Sequence, residues 1–372
     1  MEITNVEAIE IRLPESEVVD KASGAQDTCI IKIHTDEGIV GIGEVESSAH
    51  VAKAIVEAPL SGINASGLGR LLIGMNPLDI EIINEKLYQK SFYYGRRAAV
   101  VHTIGGIDIA LWDIAGKYYR QPIYQLLGGA FHKIIRAYAS DLFGIDGKAT
   151  REKAKRWVEQ GFTAVKFGWE PMGESEKKDL ELVEGARLGV GDNNDILIDA
   201  GCCWDTKTAK LRSRQFEQYR PLWLEEPLEQ DNLEGYRELS LGSNIPIAAG
   251  EGEAGVFAWR DLIERGNIDI AQVDLAKNGF TASRKIADMV ESHGRRVVNH
   301  FYSTPINLAA GLHWLASRKS AFIFEFCVEE TPIRMALAKP DIKVSDGFIV
   351  VPEEPGLGIE LDDEIINRYR VG

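Results

Sequence analysis

Three short apolar runs, each ending on a carboxylate, restrict the folds open to this chain more than any other sequence feature. They occupy residues 196–199, 222–225 and 247–251 and end on Asp199, Glu225 and Glu251. The carboxylates are evenly spaced, since 225 − 199 and 251 − 225 both give 26 residues. A strand and its crossover helix fill such a period, so the runs are predicted to be neighbouring parallel strands.

Carboxylates at the C-terminal ends of neighbouring parallel strands converge on one point, where they repel one another. A hard divalent cation such as Mg²⁺ relieves this repulsion, because it takes several oxygen ligands at short range. A single strand-end Asp is more often the N-cap of the next helix, but capping does not explain three carboxylates in register. The pattern therefore predicts a Mg²⁺ site formed by Asp199, Glu225 and Glu251.

The remaining sequence indicates three parts. Residues 1–125 contain strands followed by helical stretches without alternation, which is typical of a separate α+β domain. Residues 126–340 alternate eight apolar strands with seven amphipathic segments, and such a parallel sheet closes most readily into a (β/α)₇β TIM-like barrel. Residues 341–372 return to hairpin-like sequence and are expected to pack back on the first domain. The predicted fold class is α/β, a barrel with an N-terminal α+β domain.

Composition narrows the possible partners. The net charge of −15 and the pI near 5.1 argue against nucleic-acid binding, which needs a basic face. No uninterrupted apolar run reaches about 18 residues, so no membrane span is expected. The four cysteines lack the spacing of a disulfide framework or a zinc site, and the N-terminus shows no signal-peptide pattern. These features predict a reduced, cytoplasmic protein.

Four further ionisable residues stand at the ends of other predicted strands. They are Lys166, Asp274, His300 and Glu325. A lone strand-end lysine or histidine is usually a solvated rim residue. Several such groups at one mouth of a barrel, beside three carboxylates, need pairing or water. We therefore interpret all four as catalytic.

Chemistry suggests a role for each of them. A cation held by three acids binds a substrate carboxylate and stabilises the enediolate formed when the α-proton is removed. Near such a cation the pKa of Lys166 is expected to be lowered enough for it to act as a base. His300 lies on the opposite side of the ring, where Asp274 fixes its tautomer. Glu325, if protonated, is expected to donate a hydrogen bond to the enediolate.

Several motifs carry a family resemblance. They are Gly105-Gly106-Ile107-Asp108-Ile109-Ala110-Leu111-Trp112-Asp113, Leu126-Leu127-Gly128-Gly129, Leu224-Glu225-Glu226-Pro227 and Gly250-Glu251. With them the chain resembles the mandelate racemase-like subgroup of the enolase superfamily over nearly its whole length. The resemblance implies a cap domain over the barrel, with a loop at residues 14–27 closing over the substrate. It also implies bound Mg²⁺, a His300–Asp274 dyad and removal of a proton α to a carboxylate.

One position departs from the subgroup pattern. The second strand usually ends on Lys-x-Lys, whose second lysine is the base, whereas this chain has Lys166-Phe167-Gly168. Glycine cannot accept a proton, and racemisation needs an acid/base group on each face of the α-carbon, so racemisation is disfavoured. Lys166 is expected either to reorient into the space beside Gly168 as that opposing group, or only to neutralise the substrate carboxylate.

The remaining groups suit β-elimination from a sugar acid, with His300 protonating the oxygen that leaves C3. The altered second strand, with its bulky Phe167 and Trp169, resembles that of a 3,6-anhydrogalactonate cycloisomerase more than that of Lys-x-Lys dehydratases. The resemblance therefore favours a 3,6-anhydro-L-galactonate cycloisomerase that gives 2-keto-3-deoxy-L-galactonate. The alternatives are an acid-sugar dehydratase of the galactarate or galactonate type and a non-catalytic metal-binding barrel. Tyr93 and Trp169 are candidate substrate-binding residues, and a homo-oligomer is expected.

Overall fold

The N-terminal part of the computed structural model, which describes residues 1–15 and 26–371, contains one small antiparallel sheet and a set of helices. The sheet has the order β1-β2-β3, formed by β1 (Ile3–Arg12), β2 (Asp27–Thr35) and β3 (Val40–Val45). The helices are α1 (Ala49–Glu57), α2 (Gly69–Leu72), α3 (Ile80–Ser91), α4 (Ala99–Tyr119) and α5 (Ile123–Leu126). Most of the loop predicted at residues 14–27 lies outside the described residues.

Helix α4 carries the glycine-rich part of the family-like motif, and packing explains its composition. A side chain at Gly106 would collide with the β3 backbone, so this glycine lets the helix lie close against the small sheet. Asp113 is fully buried and accepts hydrogen bonds from the backbone of Ile42 and Leu357. By length and composition α4 is apolar enough to cross a membrane, yet 83% of its most apolar window is buried within the protein, as in a core helix.

Eight parallel strands form the main sheet. They are β4 (Ile134–Leu142), β5 (Ala164–Gly168), β6 (Asp195–Asp199), β7 (Leu224–Glu225), β8 (Ile247–Ala249), β9 (Ile270–Val273), β10 (Arg296–Asn299) and β11 (Phe324–Cys327). Strands β4 to β10 pair in chain order, and β11 pairs with β4. The sequence predicted eight strands here, and β6, β7 and β8 coincide with the three apolar runs at residues 196–199, 222–225 and 247–251.

Helices separate these strands in strict alternation. They are α6 (Gly147–Glu159), α7 (Glu176–Val190), α8 (Thr206–Phe216), α9 (Leu233–Gly242), α10 (Val256–Asp261), α11 (Leu275–Ser292) and α12 (Pro305–Ala316). Many begin with a side-chain cap, as when Asp205 accepts a hydrogen bond from the Thr208 amide. Seven helices between eight strands are the (β/α)₇β pattern that the sequence predicted.

The two end strands of this row meet through a side chain. Asn299, the last residue of β10, accepts from the backbone amide of Glu325 at 2.9 Å and donates to its carbonyl at 3.2 Å. One buried residue from or next to each of the eight strands also joins a single inner cluster. The cluster contains Tyr138, Ala164, Leu197, Trp223, Ala248, Ile270, Val298 and Ile323. The sheet therefore curls around a packed interior, with its C-terminal strand ends at one mouth.

The last part of the chain contacts both halves of the molecule. After α13 (Pro332–Ala336) come β12 (Ala338–Lys339), β13 (Val344–Ser345), β14 (Phe348–Val350), β15 (Glu360–Leu361) and α14 (Asp363–Tyr369). Strand β14 pairs antiparallel with the first residues of β4, so this hairpin extends the barrel sheet. Farther on, Asp363 forms an ion pair with Lys32 of β2 at 3.0 Å. The limits proposed for the three parts, 1–125, 126–340 and 341–372, stay predictions.

Candidate active site

Three carboxylates meet at the mouth of the barrel. Asp199 ends β6, Glu225 ends β7, and Glu251 follows β8 after Gly250. One oxygen of each carboxylate lies within 4.8 Å of the others. The amide of Gly201 donates to Asp199 Oδ1 at 2.8 Å, and the indole of Trp223 donates to Glu225 Oε2 at 2.8 Å. These hydrogen bonds hold two of the three carboxylates in fixed directions.

The charge of this cluster fits a hard divalent cation. Burial raises the pKa of the Asp199 carboxyl well above its usual value, and the neighbouring Glu225 raises it further. Burial also raises the pKa of Glu251, to about 7. Three negative charges in one buried place are costly unless a cation balances them. Because every donor is a carboxylate oxygen, the set suits Mg²⁺ better than a metal that prefers nitrogen or sulfur.

Lys166 lies among these carboxylates. Its Nζ is 2.5 Å from Glu225 Oε1, 2.7 Å from Glu325 Oε1 and 3.9 Å from Asp199 Oδ2. Burial lowers the pKa of Lys166, but Glu225 and Glu325 outweigh burial and raise the pKa well above the usual lysine value. The sequence suggested a lowered pKa, whereas the structure shows an ammonium group held by two buried carboxylates.

His300 is oriented by a buried carboxylate. Its Nδ1 lies 2.6 Å from Asp274 Oδ2, and its Nε2 faces Glu251 at 3.6 Å. Burial lowers the pKa of His300, but Glu251 and the hydrogen bond to Asp274 outweigh burial and raise the pKa to about 10. The other oxygen of Asp274 accepts from the Ala276 amide at 2.7 Å, so one residue both caps α11 and holds the imidazole.

Glu325 does not have the geometry of the protonated donor that the sequence suggested. Its Oε1 accepts from Lys166 and from Ser140 Oγ, the latter at 2.8 Å, and its Oε2 accepts from the amide of Phe301 at 2.8 Å. Burial raises the pKa of Glu325, but Lys166 and then His300 reverse the effect and lower it. In this structure Glu325 therefore accepts from three donors, one of which is Lys166.

The two candidate substrate-binding residues are placed differently. Trp169 lines the cavity above the carboxylates, with a left-handed backbone at φ 66°. Tyr93 does not line the cavity, because its ring packs on Phe92 with 74% of the residue exposed. Gly168 faces Asp199 directly, and a Cβ placed there would lie 2.7 Å from Asp199 Oδ2. The carboxylate of Asp199, rather than a reoriented Lys166, therefore occupies the space beside Gly168.

The structure also brings in residues that the sequence analysis missed. Glu46, just after β3, enters the same cavity, and its Oε1 lies 3.2 Å from Nζ of Lys277 in α11. Tyr302 stacks on His300 with ring centroids 6.1 Å apart. Ser140 at the end of β4 links Glu325 to the Tyr302 hydroxyl. The signal available for Glu46 and Ser140 was their position near strand ends, but Glu46 lies outside the barrel and Ser140 carries no charge.

Together these groups enclose a cavity of about 210 Å³ at the C-terminal ends of the barrel strands. It is lined by Glu46, Asp141, Leu142, Lys166, Gly168, Trp169, Asp199, Glu251, His300 and Tyr302. The arrangement offers three oxygen ligands for a cation, an imidazole that can move a proton, and an ammonium group for a substrate anion. Such a set suits the ionisation of a carbon acid that bears a carboxylate.

Fold and site together define a class of protein, and comparison with known families agrees. Residues 149–365 match the enolase C-terminal domain-like family, and residues 4–128 match the mandelate racemase / muconate lactonizing enzyme N-terminal domain. The chain therefore belongs to the enolase superfamily, in its mandelate racemase and muconate lactonizing enzyme branch. The family and the fold class predicted from the sequence are both confirmed.

Individual relatives narrow the class further. The D-galactarolactone cycloisomerase of Agrobacterium fabrum is 32% identical over 356 residues, which cover 92% of this chain and 91% of the relative. The D-galactonate dehydratase of Pectobacterium atrosepticum is 34% identical over 351 residues, covering 90% and 89%. The crystal structure of the 3,6-anhydro-D-galactonate cycloisomerase from Zobellia galactanivorans superposes with a TM-score of 0.91 at 28% identity and full coverage of both chains. These relatives are isomerases and lyases, and the prediction of an isomerase or lyase is confirmed.

Proposed function

We propose that this chain uses Mg²⁺ to remove the proton α to the carboxylate of a sugar acid and then expels the oxygen at C3. The observation that carries the proposal is the His300–Asp274 pair beside the carboxylates of Asp199, Glu225 and Glu251. The three carboxylates would hold the cation. When bound, Mg²⁺ supplies positive charge that stabilises the negative charge developing on the substrate carboxylate and opposes the carboxylates that raise the pKa of His300.

His300 moves the proton in this scheme. Neutral imidazole takes the C2 proton on Nε2, while Asp274 on Nδ1 stabilises the imidazolium that forms. The imidazolium returns the proton to the oxygen leaving C3, and the C3–O electron pair leaves with that oxygen. Lys166, held as an ammonium ion by Glu225 and Glu325, faces the cavity and binds the substrate carboxylate. The enol product tautomerises to a 2-keto-3-deoxy acid.

Our favoured substrate is a 3,6-anhydrogalactonate, as the sequence suggested, because the leaving oxygen can then be a ring ether. The solved structure of the Zobellia galactanivorans cycloisomerase, which covers the whole chain, supports this choice. The alternative is a dehydratase, supported by the similarity to D-galactonate dehydratase. Incubation with both enantiomers of 3,6-anhydrogalactonate and with galactonate separates the two, using semicarbazide to detect 2-keto acids. A product of unchanged mass indicates cycloisomerisation, and loss of one water indicates dehydration.

If no sugar acid gives a 2-keto product, the proposal fails and a non-catalytic metal-binding barrel takes its place. We also propose a cytoplasmic homo-oligomer that acts on a small molecule. Neither nucleic acid nor a membrane is proposed as a partner, in line with the net charge of −15 and the pI near 5.1. Gel filtration with light scattering tests the oligomeric state.

Removal of the metal is expected to abolish turnover. Treatment with EDTA should reduce activity to background, and added Mg²⁺ should restore it, because Asp199, Glu225 and Glu251 are the proposed ligands. Mg²⁺ at about 100 times its Kd should also raise the free energy of unfolding by about 2.7 kcal/mol. The semicarbazide assay measures turnover. Calorimetric titration gives the Kd for Mg²⁺, and chemical denaturation gives the free energy of unfolding. Full activity in EDTA would contradict a metal-dependent mechanism.

Substitution of Gly168 by alanine is expected to weaken Mg²⁺ binding. The new Cβ would lie 2.7 Å from Asp199 Oδ2 and 2.8 Å from Asp199 Cβ, so this ligand must shift. Gly62→Ala is a matched control, because a Cβ at Gly62 meets nothing within 4 Å. We expect the Kd for Mg²⁺ to rise at least about tenfold in Gly168→Ala and to stay unchanged in Gly62→Ala. Equal Kd values would show that Asp199 is not a ligand or has room to move.

A further inference from the structure

Glu46 is a carboxylate that reaches the active site from outside the barrel. It follows β3 in the N-terminal part of the chain, and its backbone amide donates to the Ala276 carbonyl of α11. Its Oε1 is 3.2 Å from Lys277 Nζ, which also donates to the Glu251 carbonyl at 2.9 Å. Lys277 therefore fixes Glu46 in place beside the cavity.

The carboxylate of Glu46 lines the cavity, and one of its oxygens has no hydrogen-bond donor among the described residues. Oε2 is buried, and no described residue forms a hydrogen bond with it. One oxygen of Glu46 lies near the imidazole, because one polar atom each of Glu46, Asp274 and His300 lie within 4.8 Å of one another. Asp141, another carboxylate in the wall, has both oxygens satisfied by Lys153 and Trp157. Glu46 therefore places a carboxylate in the cavity wall beside the proposed acid/base group.

In the described part of the cavity wall, no cationic side chain is left unpaired to bind a second substrate carboxylate. The cationic side chains that line it are Lys166 and His300. Lys166 is paired with Glu225 and Glu325, and in the proposed function it binds the first carboxylate of the substrate. The wall also carries the carboxylates of Glu46, Asp141 and Glu251, and like charges placed together oppose the binding of a second substrate carboxylate.

We propose that the site selects sugar acids with one carboxylate and that Glu46 accepts a hydrogen bond from a substrate hydroxyl. This inference rests on the proposed function and names its substrate class as monocarboxylates rather than dicarboxylates. A hydroxyl can donate to the Glu46 carboxylate, whereas a second carboxylate cannot donate and is repelled. Glu46 is thus a specificity-determining residue.

Matched ligand pairs test the inference on the wild-type protein. D-galactonate and D-galactarate differ only at C6, as do D-gluconate and D-glucarate. Each is assayed as a substrate and as a competitive inhibitor of the sugar acid that is turned over. We expect the monocarboxylate of each pair to bind at least about tenfold more tightly. Monocarboxylate binding no tighter than dicarboxylate binding, including no binding by either, overturns the inference. Absence of turnover on every sugar acid instead overturns the proposed function.

Variants of Glu46 test its part in the selection. Glu46→Gln removes the charge and should bring the ratio of the two inhibition constants close to one, while Glu46→Asp should keep the preference. Glu57→Gln, at an exposed carboxylate in α1, is the control and should leave the ratio unchanged. Circular dichroism shows whether each variant is folded. A folded Glu46→Gln variant with the wild-type ratio overturns the role of Glu46. If Glu46→Gln does not fold, the test passes to Glu46→Asp, and loss of the preference in that variant overturns the role.

Discussion

Replacement of His300 by asparagine is expected to lower kcat by about 10²–10⁴-fold, which is the range for loss of a general acid/base. His300 is buried between Asp274 at 2.6 Å and Glu251 at 3.6 Å, facing the cavity, so its imidazole is placed to move a proton. Asparagine retains a polar group that can bond to Asp274 but cannot take up a proton. Steady-state kinetics on the sugar acid that is turned over measures the loss.

Exchange of the C2 proton with solvent separates His300 from Lys166 as the base. If His300 acts alone, His300→Asn in D₂O should lose both product formation and incorporation of deuterium at C2 of recovered substrate. If Lys166 removes the proton and His300 only protonates the leaving oxygen, exchange should persist without product. His293→Asn, at an exposed histidine after α11, is the control and should retain full activity. Undiminished product formation by His300→Asn would contradict the scheme.

The architecture of the barrel could be predicted from the sequence because local sequence patterns determine its strands and helices. An apolar run bounded by an amphipathic segment predicts a strand and a helix wherever it occurs. The regular spacing of Asp199, Glu225 and Glu251 then placed three side chains at one mouth, because parallel strands end at the same edge. Neither step requires knowledge of which residues touch across the molecule.

Contacts between segments that are distant in the sequence could not be predicted in this way. Glu46 reaches the site because β3 packs against α4 and α4 against α11, which no local pattern records. The hairpin at β14 joins the barrel sheet because the first residues of β4 extend beyond the ladder with β5. Such placements depend on the tertiary fold, so the sequence could suggest that these segments pack somewhere but not where.

Protonation was the other property that the sequence could not decide. Glu325 was expected to be a protonated donor, yet Lys166, Ser140 and the Phe301 amide all donate to it. The outcome depends on which partners approach within hydrogen-bond distance. Asp274 was interpreted from the sequence as catalytic only, yet one of its oxygens caps α11 and the other holds His300.

Replacement of Lys166 by methionine is expected to lower the free energy of unfolding by about 3–5 kcal/mol, the cost of breaking a buried ion pair by removing one partner. Glu225 and Glu325 are both fully buried and would lose their shared cation. Chemical denaturation in EDTA measures this effect without a contribution from bound metal. Lys153→Met is the control, because its ion pair with Asp141 is partly exposed and should be worth at most about 1 kcal/mol.

A second substitution separates the structural role of Lys166 from its role in the reaction. Lys166→Met combined with Glu325→Gln removes one of the stranded charges, and glutamine can accept from the Phe301 amide while donating to Ser140 Oγ. The double variant should therefore recover most of the lost stability. It should not recover turnover, because no ammonium group remains to bind the substrate carboxylate. Recovery of both would mean that Lys166 serves the fold alone. If the double variant does not recover stability, the loss in Lys166→Met comes mainly from Glu225, the other carboxylate that Lys166 balances.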